Sequence, residues 1–577
     1  MAWHFTVVLP RSDDWNIVAP VIVEARAGNI SWESLNAQVG DARMPVARIV
    51  HAMLALSSGW NQRLESMAIL SFTMLSFFYF ELLARHAFGR RPRAFAAMTL
   101  AGSLLTFWPA MGMYWTFPTM LCYAIGTSLA FAIIPLMRTP LPPEARAAGG
   151  AVLGFLACET FLSGWLAWLV LFGLTFLSAW EDHWSRPWRR AIALIGIGLI
   201  LAIGIYIPGW HSHAGQPMRG GNPVGIGAYT LFFFRWLGSP FSFPPIGIDD
   251  AEAVFRWQMT VGLVVGILGA VCIAGITTVA LLRCRLFRGE IRRIAPWLAI
   301  IGFSLAAGIL VTAGRTRFSP SFCFLGRYIS FSIWAYIGAA ALFFEIWPFP
   351  VGKLPRRLAG AAIPLLLALY GFGFWRGLLS IESDHFATER IRCAFELMPL
   401  YVGKSPEIEG DVLRHPFSPP PAELWRLGNR VRQADLLPVP LVDEATWRAR
   451  LREDSGGAAG KLESLSPKGP DWIVSGWAAD TVHRHRAHGI FITAERPGEP
   501  EKLMGFAQKN AKRPKYEKKY RFREFSPHAG WIFTVEKERL LRQAPPGTIL
   551  RAYAVDANTA TFHRLDGEID MPEAPAR

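Results

Sequence analysis

The sequence predicts an all-α bundle of about ten membrane spans, followed by a small β-sandwich. Hydrophobic side chains make up 52% of the 577 residues, and the mean hydropathy of +0.26 is too high for an ordinary soluble protein. Long apolar runs alternate with short loops that are rich in arginine. Residues 460–570 have a different pattern, in which short β-branched or aromatic stretches are separated by turn residues.

Eight apolar runs are long enough to cross about 30 Å of hydrocarbon in one pass. They lie near residues 64–86, 94–112, 115–137, 190–208, 256–282, 294–313, 328–346 and 357–375. A further run, 148–179, is too long for one crossing and contains Ser163-Gly164 near its centre. We therefore predict two short spans within it, which brings the total to ten.

The arginines of alternate loops orient this bundle. Clusters of basic residues fall at 90–93, 138–146, 186–190, 283–293 and 353–357. The positive-inside rule makes these loops cytoplasmic. The segments before residue 64, at 209–255 and 314–327, and after 376 are then external. Met1–Pro10 is apolar but too short to span, so we expect the native protein to have one more helix there.

We divide the chain into three regions. Residues 1–376 form the membrane domain with its external loops, and 377–455 form an external Pro-rich junction with a short helix at Pro421–Ala434. Residues 460–570 form the β-sandwich, which follows a flexible Gly-Ala joint at 456–460. The expected location is a bacterial-type inner membrane, with the C-terminal domain on the periplasmic side.

Composition argues against two classes of function. The net charge of +15 comes largely from arginines in short loops, where they report topology, so we expect no nucleic-acid partner. None of the six cysteines belongs to a CxxC or other metal-spaced group, which argues against a disulfide framework and a zinc site. The histidines at 211 and 213, and at 483, 485 and 488, lack neighbouring acids or cysteines. We predict no metal ligands, while a divalent metal stays open as a cofactor.

Two adjacent acids, Asp13 and Asp14, precede the first span. Neighbouring carboxylates can differ in pKa because one suppresses ionisation of the other, and such an acid can serve as a general base. The alternative is that Ser12 or one of the two acids caps a helix beginning near Trp15. The residues alone leave both interpretations open.

The external loop 314–328 carries Arg315, Arg317 and Arg327 on a side where the positive-inside rule depletes arginine. The planar guanidinium suits phosphate oxygens, so we predict that one or two of them bind a lipid phosphate, with Arg327-Tyr328 as the stronger pair. Snorkelling of arginines at helix ends is the competing explanation.

Two acids, Glu81 and Glu159, lie within apolar runs, where an ionisable group usually faces a cavity or a partner. Glu159 is the candidate cavity acid, because it is close to the predicted helix break. Pairing of each acid with an Arg or Trp donor is the structural alternative.

Two features of the C-terminal domain suggest surface contacts. Its aromatic residues could form a sugar-stacking platform, although such positions are more often core. They are Trp472, Trp477, Trp531 and Tyr553. The basic run Lys512–Arg521 is interpreted as a solvated hairpin or a contact to an anionic surface.

Residues 11–376 resemble the GT-C membrane glycosyltransferases. The resemblance is carried by the acidic pair ahead of many short spans, the long external loops, and the segment running from Gly314-Arg315 to Gly326-Arg327-Tyr328. It implies that Asp13 or Asp14 is the catalytic base and that Arg315 and Arg327 bind the phosphate of a polyprenyl-phosphate sugar. The β-rich tail is similar to accessory carbohydrate-binding domains of some members.

The expected function is therefore inverting transfer of a hexosyl or pentosyl group from the lipid donor to a hydroxyl of an envelope glycan or other acceptor. The absence of a GxxxxGK[ST] motif agrees with a donor that is already activated. The alternative is a non-enzymatic transporter or flippase of a lipid-linked glycan, which an internal repeat would favour. The sequence has no evident repeat.

Overall fold

The computed structural model is mostly helical, with β structure near its C-terminus. It describes residues 2–571 except 12, 41, 212–224, 244–250, 287–289, 347–355, 403–407, 409–419, 440, 453–457, 483, 488, 508, 521–527 and 557–560. Contacts between residues divide the chain into two units. The membrane unit comprises Met1–His4, Gly28–Leu54 and Arg63–Ser380. The C-terminal unit comprises Phe5–Ala27, Ala55–Gln62 and Ile381–Arg577.

Seven helices in the described part of the chain are long and apolar enough to cross a membrane, which indicates a multi-pass membrane protein. They are Gln62–Phe88, Pro118–Leu136, Leu162–Glu181, Arg186–Tyr206, Glu252–Cys284, Ile291–Arg315 and Gly326–Ile346. Each coincides with a predicted run. The total of ten spans stays a prediction.

Several helices of the membrane unit are shorter, or have side chains described only in part. They are Trp32–Asn36, Pro45–Ser58, Pro92–Thr106, Gly112–Thr116, Pro143–Cys158, Ile226–Gly238 and Arg356–Glu396, of which Pro45–Ser58 and Arg356–Glu396 continue into the C-terminal unit. The predicted run 94–112 gives the 15-residue helix Pro92–Thr106 and a short 3-10 turn, Pro109–Met111. The predicted run 357–375 lies within Arg356–Glu396.

The long run 148–179 is divided into two helices, as predicted. Helix Pro143–Cys158 ends just before Glu159, and a 3-10 turn at Leu162–Trp165 leads into helix Leu166–Glu181. The break begins four residues before the predicted Ser163. Its geometry requires glycine, because a Cβ on Gly164 would lie 1.8 Å from the carbonyl oxygen of Ala157.

The C-terminal unit combines N-terminal and C-terminal segments. Its helices are Asp13–Ile17, Ala19–Arg26, Met398–Tyr401, Pro421–Gln433, Glu444–Arg450, Pro514–Tyr520 and Lys537–Gln543. The predicted junction helix is confirmed to within one residue of its end. In the first helix, the Trp15 ring stacks on Phe395 with ring centres 5.1 Å apart.

The described strands of this unit form two open sheets that are almost wholly antiparallel. One has the order Leu451–Arg452, Thr561–Arg564, Ile549–Asp556, Gly489–Glu495 and Lys502–Phe506, with Ile569–Asp570 paired to Ile549–Asp556. The other has the order Ala458–Lys468, Asp471–Asp480, Gly530–Glu536 and Lys509–Ala511, with His485–Arg486 paired to Asp471–Asp480. Residues 458–460, predicted as part of a flexible joint, begin a strand instead.

The two sheets share one hydrophobic core. Val474 and Phe533 from one sheet pack in the same cluster as Ile492 and Leu550 from the other. The prediction of a C-terminal β domain is therefore confirmed at the level of two open sheets with a common core.

The predicted aromatic platform is largely interior. Trp531 and Tyr553 are buried, and Trp472 packs against the core while half-buried. Only 7% of Trp477 is exposed, because Tyr516 covers its ring. Burial of aromatic surface in the core explains these positions.

Candidate functional site

Arg315 and Arg327 both lie within electrostatic range of one tyrosine, Tyr123. Arg315 ends helix Ile291–Arg315, and Arg327 lies in the first turn of helix Gly326–Ile346. Both guanidinium groups are close enough to the Tyr123 hydroxyl for their charges to act on it, as is the hydroxyl of Tyr328. Two cations and a second phenolic hydroxyl therefore act electrostatically on Tyr123.

Sequence reasoning missed Tyr123. It lies near the start of helix Leu121–Leu136, far in sequence from Arg327. Its local sequence does not distinguish it from the other aromatic residues of the apolar runs. Its ring packs on Phe161, with ring centres 4.5 Å apart, and on Phe331 at 5.7 Å. A tyrosine whose ring is held on two sides presents its hydroxyl in a defined place.

The backbone around Arg327 is held by close packing. A Cβ on Gly326 would lie 3.1 Å from the backbone carbon of Met111, so a larger residue would push helix Gly326–Ile346 away. The indole nitrogen of Trp236 donates a 2.9 Å hydrogen bond to the carbonyl of Tyr328. Gly326 thus allows the close packing that positions Arg327 and Tyr328.

The electrostatic environment of the cluster favours an anion. Arg327 is 8% exposed, and its guanidinium lies 5.0 Å from the centre of the Tyr328 ring. The buried Tyr328 hydroxyl makes no hydrogen bond to any residue that the structure describes. Arg315 is half-buried and, within those same residues, forms no ion pair. All four groups can donate, which suits phosphate oxygens.

Arg317 behaves differently from its two neighbours in the loop. Its side chain is exposed, and its Nε donates a 3.2 Å hydrogen bond to the hydroxyl of Tyr229. Arg317 is not among the charged groups that influence Tyr123. It therefore provides a matched comparison for the two arginines of the cluster.

Glu159 lies at the helix break, directly after helix Pro143–Cys158. It is 2% exposed, and no described residue donates a hydrogen bond to either carboxylate oxygen. Its backbone carbonyl accepts from the N–H of Val46. The nearby positive charge is Arg43, which donates instead to the carbonyl of Tyr206 at 2.8 Å. The predicted direct pairing with an Arg or Trp donor is therefore not formed among the described residues.

The second acid of the apolar runs, the half-buried Glu81, has a simple structural partner. Thr99 donates a 2.8 Å hydrogen bond from its hydroxyl to Oε2 of Glu81. A threonine thus takes the place that we predicted for an Arg or Trp donor.

A small polar cavity is lined in part by helix Gly326–Ile346. Its volume is about 10 Å³, room for about one water, which is far too small for a sugar ring. Hydroxyl groups dominate its lining, which includes Thr73, Thr106, Tyr114 and Ser330. Ser330 also donates a 2.6 Å hydrogen bond to the carbonyl of Arg327, so the cavity wall supports the backbone of that residue.

The C-terminal unit contains Asp13 and Asp14, in the first turn of helix Asp13–Ile17. Asp14 is 1% exposed, and its Oδ2 accepts a 2.8 Å hydrogen bond from the backbone N–H of Arg11. This is a helix-capping contact, so the capping role predicted as the alternative applies to Asp14. Asp13 is half-buried. Ser12, the other predicted cap, lies outside the described residues.

The segment that carries these acids is anchored within its own unit. The Arg11 guanidinium makes two 3.0 Å hydrogen bonds to the two carboxylate oxygens of Asp384. The Trp15 indole donates a 2.9 Å hydrogen bond to the carbonyl of Pro10. Hydrogen bonds of Arg11 and Trp15 therefore hold the helix that carries the two acids.

No group of three or more His, Cys, Asp or Glu side chains in the described residues could hold a metal ion. His485 lies 3.7 Å from Asp480, while His213, His483 and His488 are outside the described residues.

The chain matches no protein-family model, and neither the curated proteins nor the solved structures include a match to it.

Proposed function

We propose that this protein is an integral membrane glycosyltransferase that moves a sugar from a polyprenyl-phosphate donor to a hydroxyl of an envelope glycan. The observation that carries the proposal is that Arg315 and Arg327 both lie within electrostatic range of the Tyr123 hydroxyl, with Arg327 also 5.0 Å from the centre of the Tyr328 ring. A phosphate group in this cluster would receive charge-assisted hydrogen bonds at reduced competition from water. The proposed location is a bacterial-type inner membrane, with the C-terminal domain on the periplasmic side.

The proposed reaction is a single displacement with inversion. The acceptor oxygen attacks the anomeric carbon, and its proton passes to a carboxylate of Asp13 or Asp14. The bond between the anomeric carbon and the phosphate oxygen breaks as the new glycosidic bond forms. Polyprenyl phosphate leaves with the electron pair of that bond, and Arg315 and Arg327 stabilise its added charge.

The first experiment replaces the acids and measures transfer of radiolabelled sugar from the lipid donor in proteoliposomes. Asp13→Asn or Asp14→Asn should lower turnover by about 10² to 10⁴, the usual contribution of a general base. Asn at position 14 keeps an oxygen that can accept from the Arg11 N–H, so that variant should retain its fold. Undiminished turnover in both variants would remove the acidic pair from the reaction.

The second experiment replaces the arginines in the same assay. Each hydrogen bond to a charged group contributes about 1.5 to 3 kcal/mol, so Arg315→Gln and Arg327→Gln should each weaken donor use by roughly 10- to 100-fold. Arg317→Gln removes the same charge from the same loop but should have little effect, because its side chain contacts Tyr229. Equal losses in all three variants would point to a general charge effect instead.

The transporter hypothesis predicts a different pattern. Arginine-dependent binding of lipid phosphate would persist, while no sugar would be transferred from any donor. Movement of a fluorescent lipid-linked glycan between leaflets, abolished by Arg327→Gln, would then favour that alternative.

A further inference from the structure

The short helix Pro514–Tyr520 has two chemically distinct faces. Its tyrosines, Tyr516 and Tyr520, are spaced four residues apart and stack on Trp477 with ring centres 3.9 and 5.7 Å away. Its lysines, Lys515, Lys518 and Lys519, are all exposed. The helix is therefore fastened to the sheet by its aromatic residues and presents its lysines outward.

The one acid of this helix is occupied in structural contacts. Oε1 of Glu517 accepts a 2.7 Å hydrogen bond from the backbone N–H of Arg513 and a 3.2 Å hydrogen bond from that of Ala529. The Arg513 side chain pairs with Glu463 at 3.1 Å. The helix's carboxylate is thus turned toward the loop it holds, and the three lysines form no ion pair among the residues that the structure describes.

A fourth lysine extends this surface. Lys461 is exposed and lies directly opposite Trp477 in the antiparallel register, so its side chain is on the same face of the sheet as the Trp477 ring. We call Lys461, Lys515, Lys518 and Lys519 the lysine surface. Its charge is concentrated around a rigid aromatic stack.

We propose that the lysine surface binds the anionic headgroups of a lipid bilayer. The Trp477 ring packs against Tyr516, with ring centres 3.9 Å apart. The surface therefore offers positive charge but little of the open aromatic area on which a neutral sugar would stack. The chain also carries membrane-spanning helices, which keep lipid headgroups at a high effective concentration for any domain attached to them. This inference does not depend on the proposed glycosyl transfer.

The test is hydrogen–deuterium exchange of the full chain in nanodiscs of phosphatidylcholine, alone or mixed with phosphatidylglycerol. Each lysine near an anionic surface should favour docking about fivefold, so exchange of the peptide that covers 514–520 should slow by on the order of tenfold or more in the anionic discs. Salt at about 0.5 M should reverse the effect, because it screens surface charge.

Matched variants separate the lysine surface from general charge. K515Q/K518Q/K519Q should abolish the protection, and K515R/K518R/K519R should keep it. The control K468Q/K502Q/K537Q removes the same charge from exposed lysines elsewhere in the domain and should leave the protection intact. Unchanged exchange in the peptides of the two sheets shows that each variant is folded.

Three results would overturn the proposal: equal exchange in neutral and anionic discs, loss of protection in the control variant, or protection by a soluble anionic polysaccharide that matches or exceeds that by lipid. The last result would assign the surface to a charged glycan instead.

Discussion

Replacing Gly164 by alanine should break the turn that carries Glu159 and Phe161. The added Cβ would lie 1.8 Å from the carbonyl oxygen of Ala157 and 2.4 Å from its carbon, so the backbone would have to move by more than 1 Å. That carbonyl also accepts hydrogen bonds from the N–H and the hydroxyl of Thr160, at 3.0 and 2.6 Å. The overlap falls on backbone atoms, which cannot rotate away as a side chain can.

The expected cost is about 3 to 5 kcal/mol. Overpacking contributes roughly 1 to 3 kcal/mol, and each weakened hydrogen bond adds about 1 kcal/mol. The assay is reversible unfolding of the purified protein in mixed micelles of increasing SDS content. Because Phe161 packs on Tyr123, the variant should also bind lipid phosphate more weakly.

A matched glycine provides the control. Gly173 lies in the helix that follows the break, and a Cβ there would meet no atom within 4 Å. Gly173→Ala should therefore be neutral or stabilise the helix by up to about 1 kcal/mol. If Gly164→Ala unfolds at the same SDS fraction as Gly173→Ala, the described geometry of the break is wrong.

Three further substitutions test the cluster and its surroundings. Arg327→Lys keeps the charge but loses the planar fork, so affinity for lipid phosphate should fall about tenfold, whereas Arg317→Lys should leave it unchanged in the same binding assay. Tyr123→Phe keeps the ring on Phe161 and removes only the hydroxyl, so phosphate affinity should fall several-fold while the SDS unfolding midpoint stays the same; an unaltered affinity would exclude this hydroxyl from the site. Glu159→Gln loses no hydrogen bond from a described residue, so unfolding free energy should change by less than about 1 kcal/mol, and a loss of several kcal/mol would reveal a strong charge contact.

Local patterns predicted the helices well, because burial in lipid requires long apolar runs whose ends are marked by charge and by Gly or Pro. The divided run at 148–179 shows both the strength and the limit of this reasoning. The length of the run required a break, and this was predictable. The position of the break depends on the close approach of Gly164 to Ala157, seven residues earlier, and the first helix ends before Glu159. The sequence alone does not show which backbone atoms will meet.

The candidate site was predicted only in part for the same reason. Arg315 and Arg327 were recognisable because arginine is unexpected in that loop, whereas Tyr123 is one apolar-run aromatic among many. Its electrostatic interaction with the arginines depends on packing between helices that are distant in sequence. Glu81 shows the converse, since an ordinary threonine donates to one of its carboxylate oxygens, and no charge pattern indicates Thr99 as its partner.

The aromatic residues of the C-terminal domain could not be assigned by type. Trp531 is core, whereas Trp477 lies beneath a helix whose basic sequence suggested only a hairpin or a charged contact. The four-residue spacing of Tyr516 and Tyr520 was the available signal, because it places both rings on one helix face.

The central claim is that Arg315 and Arg327 form one binding site for a lipid phosphate. The most direct measurement is native mass spectrometry of the protein titrated with polyprenyl phosphate, because it reports binding without requiring the sugar or the acceptor. We predict one tightly bound lipid in the wild type and in Arg317→Gln, and loss of that lipid in Arg315→Gln and Arg327→Gln. Equal retention of the lipid in all four proteins would contradict the claim.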